Sequence, residues 1–242
     1  MERSHSEIPV RIDTAQTLNR FVPPPPKKGS APVDDYDEYL RREEKRKADE
    51  INDRIVKAGV PARLLPATLD NFEADTKDKS LVLDTMRTYA SKFGVGIPLP
   101  ANAVLLYGRP GTGKTHLACA VMRAVAPRFG IRYTTVSWLA RKVRSTYHRR
   151  AEETEEDILR DHINVSLLTI DEIGVGLGSD HEKAMVHDVI AGRYDAKKPT
   201  ILLSNLSLEA VLEAIGDRLV DRLREDAGIV LPCAWPSYRG RA

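Results

Sequence analysis

Apolar residues are scattered thinly over the first sixty positions and become dense and regularly spaced only beyond them. Residues 1–35 hold too few to build a core. The four prolines at 23–26, followed by Lys27, Lys28, Gly29 and Ser30, read as a stiff and then flexible spacer. The stretch before it, IPVRIDTAQTLNRFV, reads as a disordered tail or as a short docking segment that orders on a partner. Residues 34–57, DDYDEYLRREEKRKADEINDRIVK, suit a helix with acidic residues crowded at its start. Its stripe of Tyr36, Tyr39, Leu40, Ile51, Ile55 and Val56 is too thin to form a core alone. The helix is therefore either a solvated lead into a domain or a surface kept for a partner, and Gly59 and Pro61 end it. Residues 61–72 form a loop-like lead-in anchored by Leu64, Leu65, Leu69 and Phe72. Residues 79–93 place Leu83, Met86, Tyr89 and Ala90 at helical spacing.

After a turn over residues 94–100, short apolar runs alternate with helical periods. Strands are predicted at 103–107, 131–136, 165–170, 199–204 and 229–231. Between them fall a helix at 117–125, a basic helix capped by Ser137 (WLARKVRSTYHRR) and an acidic helix at 152–160. Three more follow: one at 182–193, one capped by Ser207 with Leu208, Val211, Leu212 and Ile215 on one face, and one at 217–225 after Gly216. Apolar strands alternating with helices predict an α/β fold with a five-stranded parallel sheet covered on both faces. The expected division is an extension over residues 1–60 and one domain over 61–242.

The 242 residues carry a net charge of only +2, so nucleic acid could be held only by a local patch. Cys119 and Cys233 stand far apart without a CxxC or a paired histidine, which argues against structural zinc and against a disulfide framework. The amino terminus lacks an apolar secretory core and no run reaches the roughly 20 apolar residues of a membrane span, so a soluble cytoplasmic protein is expected.

The candidate chemistry begins directly after the first strand. Gly108, Arg109, Pro110, Gly111, Thr112, Gly113, Lys114 and Thr115 fill every fixed position of GxxxxGK[ST], with His116 next and a helix behind them. In a strand–loop–helix setting such a loop wraps phosphate oxygens with its backbone N–H groups, and the helix start adds positive charge. Lys114 is expected to reach the β- and γ-phosphates and Thr115 to place its hydroxyl on Mg²⁺. The third strand, LLTIDE, delivers Asp171 and Glu172: Asp171 to hold Mg²⁺ through water, Glu172 to activate a water for attack on the γ-phosphate. Asn205, at the end of the fourth strand, is placed to orient that water. Arg218 and Arg222 share a helix face.

Taken together, GRPGTGKTHLA, LLTIDEIG, LLSN, GDRLVDRLR and the terminal WPSYRGR resemble the AAA+ ATPases of the DnaC-type replicative helicase loaders, relatives of the transposition helper IstB and of the initiator DnaA. The resemblance covers residues 60–242 and implies a P-loop AAA+ (ASCE) domain that uses ATP and Mg²⁺ and lacks the helical lid of DnaA. It implies that Lys114 and Thr115 bind phosphate and metal, that Asp171 and Glu172 are the Walker B pair, and that Asn205 is sensor 1. Arg222 matches an arginine finger acting in trans with support from Arg218, and Arg239 matches sensor 2. Residues 69–72 would lie by the adenine. The resemblance further implies assembly into a helical ring with ATP between subunits, a grip on the hexameric replicative DNA helicase through residues 1–60, and single-stranded DNA inside the spiral. The basic helix holds the place of the family's DNA-contacting insertion. Arg141, Arg144 and Arg149 would hold phosphates and Tyr147 would stack on a base, with Ser179 and Lys183 as further contacts. The plainer alternative is a basic face neutralised by the acidic residues at 152–156. An IstB-like helper ATPase for a DNA transposase is the competing function, since both share these motifs.

Overall fold

The computed structural model describes residues 33–94, 99, 101–148, 151–175, 180–225 and 228–239. Arg149 and Ser179 lie outside them, as do residues 1–32. The described residues divide into two units, one ending at Lys47 and one beginning at Ala48. In the first, the early turns of α1 (Val33–Lys57) carry the ion pairs Arg42–Glu38 and Arg46–Glu43 on the helix surface. The second unit begins ahead of the boundary expected at residue 61. Ile55, Ala58 and Val60 are buried in its core, Arg54 donates to the carbonyl of Ala126 at 2.9 Å, and Arg123 donates to Asn52 at 2.9 Å.

The second unit continues through a 3₁₀ turn at Ala62–Leu64 and α2 (Lys77–Lys92) to β1 (Ala103–Tyr107), α3 (Lys114–Val125) and β2 (Ile131–Thr135). Next come α4 (Val136–Ser145), α5 (Glu155–Asn164), β3 (Leu167–Asp171), α6 (Asp180–Asp195) and β4 (Thr200–Ser204). The chain then forms α7 (Leu208–Ile215), α8 (Asp217–Glu225) and β5 (Ile229–Pro232). All five strands are parallel, in the order β2-β3-β4-β1-β5. The expected sheet and its two covered faces are both present.

Alternation along each strand divides the core. Val104, Leu106, Leu167, Ile201 and Leu203 pack against α2, α3 and the end of α1. Leu105, Leu168, Ile170 and Leu202 meet α4–α8. A strand with both faces covered must be apolar at every position, which is why these runs lack the alternation of a half-exposed sheet.

Helix starts follow local capping chemistry. Thr76 and Ser207 accept from Lys79 N and Ala210 N, the latter as expected. Most boundaries shift by two or three residues from the sequence expectation, and at two helix starts the capping residue explains the shift. The cap of α4 is Thr135, accepting from Trp138 N, and not Ser137; Val136 is fully buried and already helical, so the helix starts as soon as β2 ends. The acidic helix starts at Glu155, not 152, because Thr154 and Asp157 form a capping box there. Among the described residues no helix is long and apolar enough to cross a membrane.

Behind the sheet, Arg193 in the last turn of α6 is fully buried. Its guanidinium donates to the carbonyls of His162, Ile163, Val165 and Pro199 and to the Thr200 hydroxyl. The first two carbonyls belong to the end of α5, where acceptors lack helical partners and the helix dipole favours a cation. Burial lowers its pKa to about 10, so it remains charged at neutral pH.

Candidate active site

A parallel sheet exposes its ligand edge at the carboxyl ends of its strands, where loops leave for the helices. Here that edge opens into a cleft of about 550 Å³. The loop after β1 forms its floor, the ends of β3 and β4 supply Asp171, Glu172 and Asn205, and Tyr238 and Arg239 border it from the carboxyl-terminal segment. Pro110, Gly111, Gly113, Lys114, Thr115 and His116 all line it.

Within the loop, Gly113 caps α3 with φ +89°, a left-handed conformation that side chains rarely adopt, and a Cβ there would lie 2.7 Å from the Phe72 ring. Thr112 is buried and its hydroxyl donates to the Arg109 carbonyl at 3.0 Å. The Lys114 ammonium folds over the loop, donating to the carbonyls of Gly108 at 2.7 Å and Arg109 at 2.8 Å. Burial lowers its pKa and Arg239 pushes the same way, against opposing contributions from Cys233 and Asp171. Two cations thus face one cleft beside the first turn of a helix, an arrangement that an anion stabilises. At the cleft wall, the His116 Nε2 meets the Thr68 carbonyl at 3.0 Å and its ring packs near Phe72.

Thr115 and Asp171 converge as their roles require. The Thr115 hydroxyl donates to Asp171 Oδ2 at 3.0 Å. A hydroxyl and a carboxylate are hard oxygen donors suited to Mg²⁺, which takes few protein ligands and completes its shell with water and phosphate. The donor set fits that ion, and no larger cluster of His, Cys, Asp and Glu occurs among the described residues. Asp171 Oδ1 accepts from the Glu172 N–H at 2.7 Å. Glu172 has φ +63°, uncommon for a side chain with a Cβ, and it lines the cleft. Asn205 lines it from the end of β4.

Arg218 and Arg222 are absent from this cleft. Arg218 is exposed on α8. Arg222 borders a small cavity with Asn102, Ala103 and Thr200, at the amino ends of β1 and β4 and so at the opposite edge of the sheet. Its guanidinium lies 5.2 Å over the Tyr194 ring and 3.8 Å from Asp195, and its Nη1 is buried without a hydrogen-bond partner among the described residues.

The basic helix is shorter than its sequence suggests, and Tyr147 lies in the turn beyond it. Lys142 pairs with Glu153 and Arg144 with Glu182 at 3.1 Å. The Tyr147 hydroxyl lies 3.2 Å from both Glu155 and His181. Acidic neighbours therefore neutralise much of this face, while Arg141 is exposed. Lys183 lies on α6, outside the cleft.

Three contributors went unnoticed in the sequence. Tyr133, from β2, donates to Asp171 Oδ2 at 2.8 Å. Trp235 donates through Nε1 to the Thr112 carbonyl at 2.8 Å, and the Tyr238 N–H donates to the Gly111 carbonyl at 2.8 Å. The last two stand in the WPSYRGR segment, whose aromatic residues were the available signal; Tyr133 had none beyond its place in a strand.

A parallel α/β sheet with a phosphate loop after β1, and an Asp-Glu pair at the end of β3, the next strand but one, defines a P-loop ATPase of the AAA+ type. The family of IstB-like ATP binding proteins matches residues 61–242, and the chain belongs to it. The replicative helicase loader DnaC of Buchnera aphidicola subsp. Acyrthosiphon pisum (strain APS) is 31% identical over 184 residues, 76% of this chain and 73% of that protein. The crystal structure of the DnaC helicase loader aligns with a TM-score of 0.60 at 24% identity, covering 71% of this chain and 99% of that one. A replication initiator DnaA bound to AMPPCP and single-stranded DNA aligns with a TM-score of 0.59 at 22% identity, covering 72% of this chain and 50% of that one. At these identities the two structures speak for the fold. The chain is an ATP-binding ATPase.

Proposed function

We propose that this protein is an ATP-dependent, cytoplasmic loader of the hexameric replicative DNA helicase, which it binds, opens and delivers onto single-stranded DNA as replication begins. The observation that carries the reading is its kinship with the DnaC loaders across the whole nucleotide-binding domain. Lys114, the loop glycines and Arg239 hold the phosphates, and Thr115 and Asp171 would hold Mg²⁺, which when bound would supply neutralisation of phosphate charge. Glu172 accepts a proton from water that Asn205 orients.

Arg222 completes the site of a neighbouring subunit in a helical ring. Its distance from its own cleft suits a group that acts on another molecule. Arg222→Ala is expected to lower assembled turnover by about 10³-fold while ATP affinity of the monomer is unchanged. Equal losses of affinity in monomer and assembly would remove the trans role.

Single-stranded DNA passes along the face bearing Arg141, Arg144 and Tyr147, in keeping with a DnaA of the same fold bound to such DNA. Residues 1–60 grip the helicase. Because residues 48–60 are part of the compact domain, the test removes residues 1–47. Mixed with ATP and the replicative helicase of the same source, the full chain is expected to co-elute with it and the truncated chain to elute alone while still hydrolysing ATP. Absence of a complex, with hydrolysis still stimulated by single-stranded DNA, would favour an IstB-like transposase helper, the reading that the family's own description supports.

A further inference from the structure

We propose that Tyr133 is a positioning residue for the metal-holding carboxylate, and that the segment closing α1 fixes where Tyr133 stands. The proposal rests on the reading of Asp171 as the carboxylate that holds Mg²⁺.

Asp171 has both oxygens engaged. Oδ1 accepts from the Glu172 N–H at 2.7 Å, and Oδ2 accepts from Thr115 at 3.0 Å and from the Tyr133 hydroxyl at 2.8 Å. These bonds differ in kind. Thr115 lies in the first turn of α3, and Glu172 donates only its backbone N–H from the residue next to Asp171. Tyr133 belongs to β2, is only 8% exposed, and is paired through its backbone in register with Thr169 of β3, two residues before Asp171. Its hydroxyl is the one bond to the carboxylate that comes from a neighbouring strand. A hydroxyl donated to Oδ2 leaves the remaining lone pairs of the carboxylate for a cation or its water, and fixes the plane in which they point.

The position of Tyr133 is set from the other side of its strand. Its N–H donates to the Ala58 carbonyl at 2.8 Å, one residue beyond the end of α1. Its own carbonyl faces Gly59, where an added Cβ would lie 2.9 Å from that oxygen. Gly59 has φ +87°, so the chain can turn against the strand only because no side chain intervenes. Ala58 and Val60 on either side are buried. A continuous set of contacts therefore runs from the helix that leaves the amino-terminal segment, through Ala58 and the backbone of Tyr133, to the carboxylate of Asp171.

The test uses the full chain, a fluorescent ATP analogue, and Mg²⁺ titrated from an EDTA baseline. Tyr133→Phe removes one oxygen and keeps the ring. It is expected to raise the Mg²⁺ concentration for half-maximal tightening of nucleotide by about tenfold, with affinity in EDTA and the melting temperature both close to wild type. A tyrosine that merely fills space would leave the midpoint unmoved, and that result would overturn the proposal. Gly59→Ala is expected to raise the same midpoint, and to add nothing to Tyr133→Phe in the double variant. A wild-type midpoint in Gly59→Ala would overturn the anchoring by α1. If the wild-type chain bound nucleotide equally with and without Mg²⁺, the reading of Asp171 itself would fall.

Discussion

Lys114→Ala is expected to abolish measurable ATP binding and leave the fold as stable as before. Lys114 is 5% exposed, and its ammonium is held against the Gly108 and Arg109 carbonyls in a cleft it shares with Arg239. A triphosphate offers that ammonium a full negative charge in place of two neutral carbonyls. Hydrogen bonds to charged groups contribute roughly 1.5–3 kcal/mol each, so losing two of them weakens ATP by about a hundredfold or more. Stability follows a different sum: the charge removed is one that burial and Arg239 both disfavour, and the carbonyls left behind border an open cleft. Titration calorimetry with ATP, paired with a melting curve, separates the two. Binding retained at wild-type affinity would remove Lys114 from the phosphate site.

Arg193→Met gives the opposite pattern, a chain that still recognises ATP but melts early. Methionine approximates the volume and none of the hydrogen bonding. The carbonyls of His162, Ile163, Val165 and Pro199 then lose their donor within a region closed to water. Each buried acceptor left unsatisfied costs about 1–3 kcal/mol, and the end of α5 also loses the cation that complements its dipole. A total near 4 kcal/mol is expected, which for a domain of this size lowers the melting temperature by on the order of 10 °C. Thermal denaturation followed by circular dichroism measures it. A shift within a degree or two would mean that water replaces the guanidinium, so that the carbonyls are less enclosed than their surroundings imply.

These two arginine and lysine residues also mark what was legible in the sequence. Lys114 could be read because phosphate binding is carried by contiguous residues: the loop, its glycines and the start of α3 are one local structure. The same holds for Asp171 and Glu172, whose position at a strand end follows from the apolar run before them. Arg193 was legible only as the end of a helix, because three of its carbonyl acceptors lie about thirty positions earlier and the others just beyond it, and they meet only once β3 and β4 pair. Tyr133 is hidden for the same reason, its acceptor being 38 positions away. The cap of α4 was misread locally: TTVS offers three hydroxyls in four residues, and burial of Val136 decides among them. The basic face carried two readings, a DNA contact or a face neutralised by the acidic residues at 152–156; Glu153 pairs with Lys142 as the second expects, while Glu182, 38 positions from Arg144, was beyond local reading.

The strand order has a consequence for how the molecule is made. β1 carries the phosphate loop, yet its two neighbours are β4 and β5, which leave the ribosome about a hundred and more residues later. The loop is braced by Trp235 and Tyr238, later still. During synthesis, β1 is therefore an apolar segment with two unpaired edges while about a hundred further residues are made, the condition in which strands associate with one another or with chaperones. ATP cannot guide this step, because the pocket that would bind it is assembled last. The nucleotide enters a cleft whose strands have already paired, and the yield of that fold is decided before its ligand has anywhere to go.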